Sequence, residues 1–158
     1  MKNVNRLMVS LLLENDEIEV GELANRENQI FFKYYPSFLK TKLQISPFKF
    51  PLSPEILVAD TQIFDGLFGV FNDSLPDGWG RLLLDRTLNS QGISLSEITP
   101  LDRLAYVGKN GMGALVYQPV LSAENSFHEN IALDNLYQSS QKILEGTSSE
   151  LIEELLFL

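Results

Sequence analysis

Apolar residues dominate the first part of the chain in three short runs that polar turns separate. Residues 6–14 are apolar enough to predict a strand that is buried on both faces. Residues 18–23 alternate between apolar and polar side chains, and residues 29–35 are rich in aromatic side chains, as strands often are. Turn-forming residues lie between these runs, at 15–16 and at 25–28. The pattern predicts a three-stranded antiparallel meander.

Shorter elements follow the meander. Pro36 suits the first turn of a helix, and Asp77 is an acidic residue suited to a helix N-terminus. Gly92 is a helix stop signal. The predicted elements are helices over residues 37–42, 77–89 and 96–106, the last broken at Pro100, and strands over residues 43–48 and 114–117.

The last part of the chain is predicted to be helical. Residues 121–130 are polar and predict a surface linker, and helices are predicted over residues 131–144 and 148–158. The fold class is therefore α+β: an N-terminal antiparallel β-sheet with packed helices, followed by a small helical C-terminal part. We expect residues 1–120 to form one subdomain and residues 121–158 to form a linker and a helical segment.

Composition and charge narrow the function classes. The chain has 158 residues, of which 44% are hydrophobic, so it is long enough to bury a core. Its net charge of −9 argues against nucleic-acid binding and favours a basic partner. It contains no cysteine, no signal peptide and no run near the ~20 apolar residues of a membrane helix. We therefore expect a cytoplasmic protein that contacts neither nucleic acid nor membrane.

Candidate chemistry is sparse. His128 is the single histidine and lies in the predicted linker, without the acid and nucleophile that a triad needs. Residues 108–113 are glycine-rich and contain Lys109, but their order differs from that of a phosphate-binding P-loop, and a strand rather than a helix is predicted to follow. A tight turn is the favoured interpretation. We expect no catalytic, cofactor-binding or metal-binding residues, and no cofactor.

The most unusual segment, residues 71–84, contains the single tryptophan between two glycines. Two interpretations of Trp79 are open: its indole packs beneath the helix, or its ring is an interface anchor, since tryptophan and arginine are enriched among binding hot spots. Arg81 and Arg86 follow it and are candidates for the same face or for ion pairs with Asp77 and Asp85.

The C-terminal helix predicted over residues 148–158 ends in four consecutive apolar residues, which include Leu155 and Phe157. Such a terminus exposes apolar surface unless other residues pack against it. Either it packs into the core of its own domain, or a partner chain or a further domain covers it. Together with the unusual segment, this gives five candidate partner-binding residues: Asp77, Trp79, Arg81, Leu155 and Phe157.

Four stretches resemble the HipA family of bacterial toxin kinases, in the N-terminal subdomain that precedes the kinase core. The most specific is Asn-Asp-Ser-Leu-Pro-Asp-Gly-Trp-Gly-Arg at residues 72–81, after Phe-Gly-Val-Phe. A second, at residues 102–115, contains Gly-Met-Gly-Ala-Leu. The other two are a hairpin over residues 20–34 and the stretch from Leu39 through 45–52. The resemblance covers roughly residues 5–158.

The resemblance implies a role in a toxin–antitoxin system linked to bacterial persistence. Family members continue into a serine/threonine kinase core, with an ATP loop and catalytic residues that match no position here. In some relatives, of the HipS type, this subdomain is a separate small protein that docks on a kinase and restrains it. A tryptophan of that subunit can enter the kinase active-site region, and Trp79 is the candidate here. A HipB-like DNA-binding antitoxin is a further implied partner.

Three functional hypotheses are thus open. The first is a non-catalytic module that binds a HipA-like kinase core and inhibits it. The second is the N-terminal portion of a serine/threonine kinase whose catalytic half is absent or cut away. The third is an unrelated acidic binding domain.

Overall fold

The computed structural model describes residues 3–120, which form one antiparallel sheet of five strands in the order β4-β3-β2-β1-β5 with helices packed against it. This confirms the α+β class. The strands are β1 (Arg6–Leu13), β2 (Asp16–Arg26), β3 (Gln29–Tyr34), β4 (Leu57–Val58) and β5 (Leu115–Pro119). The helices are α1 (Pro36–Thr41), the single-turn α2 (Gly69–Asn72), α3 (Gly78–Ser90) and α4 (Pro100–Val107), and a 3₁₀ turn covers Phe64–Gly66.

The predicted meander is confirmed as β1, β2 and β3. A two-residue turn joins β2 to β3, and both of its residues, Glu27 and Asn28, have positive φ angles of 52° and 62°. These are the angles of a type I′ turn, whose twist matches that of the flanking strands. Gly21 is needed within β2, because a Cβ atom there would collide with the backbone oxygen of Lys33 on β3.

One strand is less buried than its sequence indicates. Leu7 and Val9 of β1 are fully buried, whereas Leu12 and Leu13 are exposed. The register explains this, because β5 pairs with β1 only as far as Leu11. The prediction of burial on both faces is therefore wrong for the end of β1.

The strand predicted over residues 43–48 is also wrong. These residues form coil and a turn, with one isolated bridge between Ser46 and Phe50. Pro47 lacks the N–H that a strand ladder requires, and Phe48 is 95% exposed. The fourth strand is instead β4, which pairs with the outer edge of β3.

An aromatic cluster forms much of the core between the sheet and the helices. Each ring in the cluster contacts at least one other ring, mostly in edge-to-face or tilted geometry. The rings belong to Phe32, Tyr34, Phe38, Phe50, Phe68, Phe71 and Tyr117. Such pairs stabilise a fold beyond the area that they bury. The aromatic run predicted as a strand thus supplies the inner face of β3.

Helix α4 begins four residues later than predicted. Pro100 occupies its first turn, and a residue that precedes proline disfavours helical geometry. Thr99 is the N-cap and forms a capping box with Asp102. The buried Asp102 carboxylate accepts hydrogen bonds from the backbone N–H of Val4 at 2.7 Å and of Thr99 at 2.8 Å, and a further one from the Thr99 hydroxyl at 2.8 Å. It therefore joins the N-terminal segment to α4.

Replacing Asp102 with alanine is expected to lower the free energy of unfolding by about 2–3 kcal/mol. The variant loses the capping box and leaves the part-buried amide donors of Val4 and Thr99 without an acceptor. Urea unfolding measures the change. Asp60→Ala is the control, because Asp60 is exposed and accepts a single local bond from Gln62. A loss no larger than that of the control contradicts this role for Asp102.

Several predicted elements lie outside the described residues: the linker over 121–130, the helices over 131–144 and 148–158, and with them Leu155 and Phe157. Within residues 3–120, the helices are all too short or too polar to cross a membrane.

Candidate partner-binding surface

Trp79 lies in the first turn of α3 and is 58% exposed. The reason is its position on the helix. Leu88, nearly fully buried against the core, follows it by nine residues, or about two and a half turns, so the two side chains point in opposite directions. The interpretation in which the indole packs beneath the helix is therefore wrong, and the ring is presented to solvent.

The solvent-facing side of α3 carries two further residues with Trp79. Leu82, one turn on, is also exposed. Arg86 follows by seven residues and shares the side of Trp79, whereas Arg81 points elsewhere. In the described part of the chain Arg86 forms no ion pair. We call Trp79, Leu82 and Arg86 the α3 face.

Asp77 occupies the predicted N-cap position of α3 with an extended backbone. Its side chain makes no capping hydrogen bond. The predicted position of the N-cap is therefore correct, but the hydrogen bond expected of a capping side chain is absent. The residue is exposed, and its charge still complements the helix dipole. Its carboxylate is therefore available next to Trp79.

Arg81 is bound within the chain. Its guanidinium donates to the Asn72 side-chain oxygen at 3.1 Å and to Asp65 Oδ2 at 3.2 Å. The candidate ion pairs of the two arginines with Asp77 and Asp85 are absent from the described residues. Asp85 instead binds Arg103 of α4, at 2.7 Å and 3.1 Å, and Arg103 also lies 3.7 Å from Asp65.

These contacts hold a strained turn. Phe64 and Asp65 have left-handed φ angles of 50° and 55°, a conformation that costs roughly 1–2 kcal/mol for each non-glycine residue. Arg81 and Arg103 both lie against the Asp65 carboxylate. The network ties the start of α3 to α4 and fixes the direction in which Trp79 points.

The glycine-rich loop over residues 108–113 packs beside the start of α3. Its Met112 amide donates to the Ser74 carbonyl at 3.3 Å, and the Ser74 hydroxyl is 2.7 Å from the Tyr117 hydroxyl in the core. At Gly111 a Cβ atom would lie 2.8 Å from Val107, so only glycine permits this approach. Strand β5 follows the loop, which confirms the tight turn and makes the P-loop interpretation wrong.

A groove of about 270 Å³ lies between α3 and this loop. Its walls are mostly apolar, and they include Pro76, Leu83, Leu84, Tyr106, Val107 and Met112. Met112 is 69% exposed at the rim, and Leu83 lies one turn after Trp79, so the groove adjoins the α3 face. Burial raises the pKa of Tyr106 to about 12, and it also raises the pKa of Tyr117.

Other potential sites are weaker. An open polar cleft of about 820 Å³, lined by Asn3, Asn25, Asn28 and Glu97 among others, lies near the start of α4. Among the residues that the structure describes, no three histidine, cysteine or acidic side chains are grouped as metal ligands. The α3 face and its groove combine an exposed tryptophan with an apolar groove, and we take them as the candidate surface.

Sequence reasoning found Trp79 and Asp77 but missed the groove. The spacing from Trp79 would have indicated Leu82 and Arg86 once the helix was assigned. No local signal connects Met112 and Tyr106 to α3, because loop packing brings them there. The structure brings together the two most distinctive motifs, residues 72–81 and 102–115, as neighbouring walls of one surface.

A family model described as the HipA N-terminal domain matches residues 12–118. The match runs from the end of β1 into β5 and includes both motifs that form the surface. No curated protein matches the chain significantly.

Proposed function

The chain belongs to the HipA N-terminal domain family, and on this premise we propose that it is a non-catalytic module that binds a HipA-like kinase core and restrains it. One observation carries the proposal: the single tryptophan is exposed at the start of a helix that an ion-pair network holds in place. A large aromatic ring on a rigid element contributes to binding without a large ordering cost.

The α3 face has the composition of a binding hot spot. Trp79 supplies a large apolar area, Leu82 extends that area, and Arg86 adds a charged group. Asp77 lies at the edge of this face with a carboxylate available for a basic group of the kinase. Arg81 contributes mainly by positioning, since its guanidinium is already bound to Asn72 and Asp65.

The C-terminal residues enter the proposal through their chemistry alone. We propose that residues 1–120 form the family subdomain and that residues 121–158 supply a linker and a helical segment toward the kinase core. Leu155 and Phe157 would then add apolar contacts to the same partner. The net charge of −9 favours a basic face on that partner.

The wider assembly follows from this role. A HipB-like DNA-binding antitoxin is the proposed third component, and it rather than this acidic chain would contact DNA. A cytoplasmic location is proposed for the same system.

A second candidate function is the N-terminal portion of one continuous serine/threonine kinase. The family description, an N-terminal domain, favours it. In that case the α3 face would be an interface between two parts of one polypeptide. Sequencing the reading frame downstream distinguishes the two candidate functions. A continuous frame that encodes a glycine-rich ATP loop supports the N-terminal portion of one kinase. A stop codon followed by a second gene supports the separate kinase-binding module.

Co-expression with the HipA-like kinase core of the same genome tests the module directly. We expect the two proteins to co-purify and the kinase to be less active with the chain than without it. Failure to associate excludes the module. If the two proteins associate but kinase activity does not change, the chain binds the kinase core and does not inhibit it.

A further inference from the structure

We infer that the groove beside α3 holds an apolar anchor residue of the kinase core, on a segment that also presents a cation to Asp73 and Asp77. This rests on the proposed function and adds the chemistry of the partner segment. The groove adjoins the α3 face, so an anchor residue here and Trp79 would engage the same partner surface from two sides.

The size and walls of the groove match a side chain. Its volume of about 270 Å³ falls below the roughly 300–1,000 Å³ of pockets for whole small molecules. Leu83, Val107 and Met112 give it an apolar lining, and the exposed Met112 is a flexible side chain that adapts to an incoming group. An apolar side chain of a protein partner suits this mostly apolar lining.

Tyr106 supplies the second, polar observation. This residue lines the groove and is only 5% exposed, yet among residues 3–120 its hydroxyl makes no hydrogen bond of normal geometry, and the Thr87 hydroxyl beside it already donates to the Leu83 carbonyl at 2.9 Å. Buried hydroxyls are rarely left in this state, because an unpaired buried polar group destabilises a fold. The Tyr106 hydroxyl would donate a hydrogen bond to a backbone carbonyl on the segment that carries the anchor residue.

Charge identifies what flanks the anchor. Asp73 and Asp77 are exposed and lie next to Ser74 and Pro76 in the groove wall. In residues 3–120 neither of these carboxylates forms an ion pair, unlike Asp65 and Asp85. Two exposed carboxylates that adjoin groove-lining residues in the chain complement a lysine or an arginine. The occupant is therefore a basic segment with one large apolar residue.

The test uses the full chain and the HipA-like kinase core of the same genome, with affinity measured by titration calorimetry. Tyr106→Phe removes only the hydroxyl, so we expect affinity to fall about 5–10-fold while the thermal stability of the free chain is unchanged or higher. Asp73→Asn combined with Asp77→Asn should flatten the salt dependence of binding. Tyr35→Phe is the control at the N-cap of α1, outside the groove, and should bind as the wild type does.

A label reports occupancy of the groove independently. The chain has no cysteine, so Met112→Cys places a single environment-sensitive dye at the rim. A blue shift when the kinase core is added supports the inference. If Tyr106→Phe binds as tightly as the wild type, or the dye does not respond to a bound kinase core, the inference is overturned and the proposed function stands. If the wild-type chain does not bind, both fall.

One competing occupant is part of the same chain. Residues 148–158 are apolar enough to fill the groove themselves. Leu155→Asp combined with Phe157→Asp distinguishes this case. If the free variant shifts the dye at position 112 to the red, the chain's own segment is the occupant and the inference is overturned. An unchanged dye signal in the free variant supports the kinase segment.

Discussion

Phe71→Ala is expected to lower the free energy of unfolding by about 3–5 kcal/mol. Phe71 is fully buried, and its ring centre lies 5.1 Å from that of Phe32, 5.3 Å from Phe50 and 5.9 Å from Phe68. The variant loses the burial of a large ring and leaves a cavity among rigid aromatic neighbours, which cannot collapse to fill it. Because a typical domain is stable by only ~5–15 kcal/mol, much of the population would unfold.

Urea unfolding followed by far-ultraviolet circular dichroism measures this change. Phe48→Ala is the matched control: it removes the same ring from a side chain that is 95% exposed, and it should change stability by less than about 0.5 kcal/mol. Equal effects of the two substitutions would show that Phe71 is not in the core. A reduced slope with denaturant concentration would indicate a less cooperative native state.

The sheet was predictable because its signals are local. The polar turns and the aromatic alternation of β3 lie within a few residues of one another, and each agrees with the type I′ turn at Glu27 and Asn28. Segments in which local sequence signals indicate different structures were harder to predict. Apolar residues indicated a strand over residues 43–48, but Pro47 and the exposed Phe48 make a turn there. The start of α4 shifted to Pro100 for a similar reason, since its capping box overrides the preceding pattern.

The candidate surface was only half predictable. A helix at residues 77–89 followed from the sequence, but the direction of Trp79 depends on which side of that helix meets the core. The role of Arg81 depends on Asp65, sixteen residues earlier, and the groove depends on Met112, which the 108–113 loop brings against Ser74. These contacts join residues that are far apart in the sequence, so the local sequence pattern does not predict them.

Trp79→Ala is expected to weaken binding to the HipA-like kinase core of the same genome by about 30-fold, or about 2 kcal/mol. The indole is exposed in the free chain, so its removal leaves no cavity in the core and the folded state should keep its stability. The loss of affinity would arise from the large apolar area that the ring buries on binding. Most of it should appear as faster dissociation, as for most changes at an interface.

Phe48→Ala again provides the control, because it removes an even more exposed aromatic ring from outside the α3 face and the groove. Neither variant should shift the thermal unfolding midpoint of the free chain by more than a few degrees. This pair of variants separates a specific anchor from general surface hydrophobicity.

The most direct measurement is a titration of the kinase core with the wild-type chain, Trp79→Ala and Phe48→Ala under the same conditions. The account predicts wild-type affinity for Phe48→Ala and an affinity about 30-fold lower for Trp79→Ala, with kinase activity restored in parallel. A Trp79→Ala chain that binds and restrains the kinase core as tightly as the wild type contradicts the account.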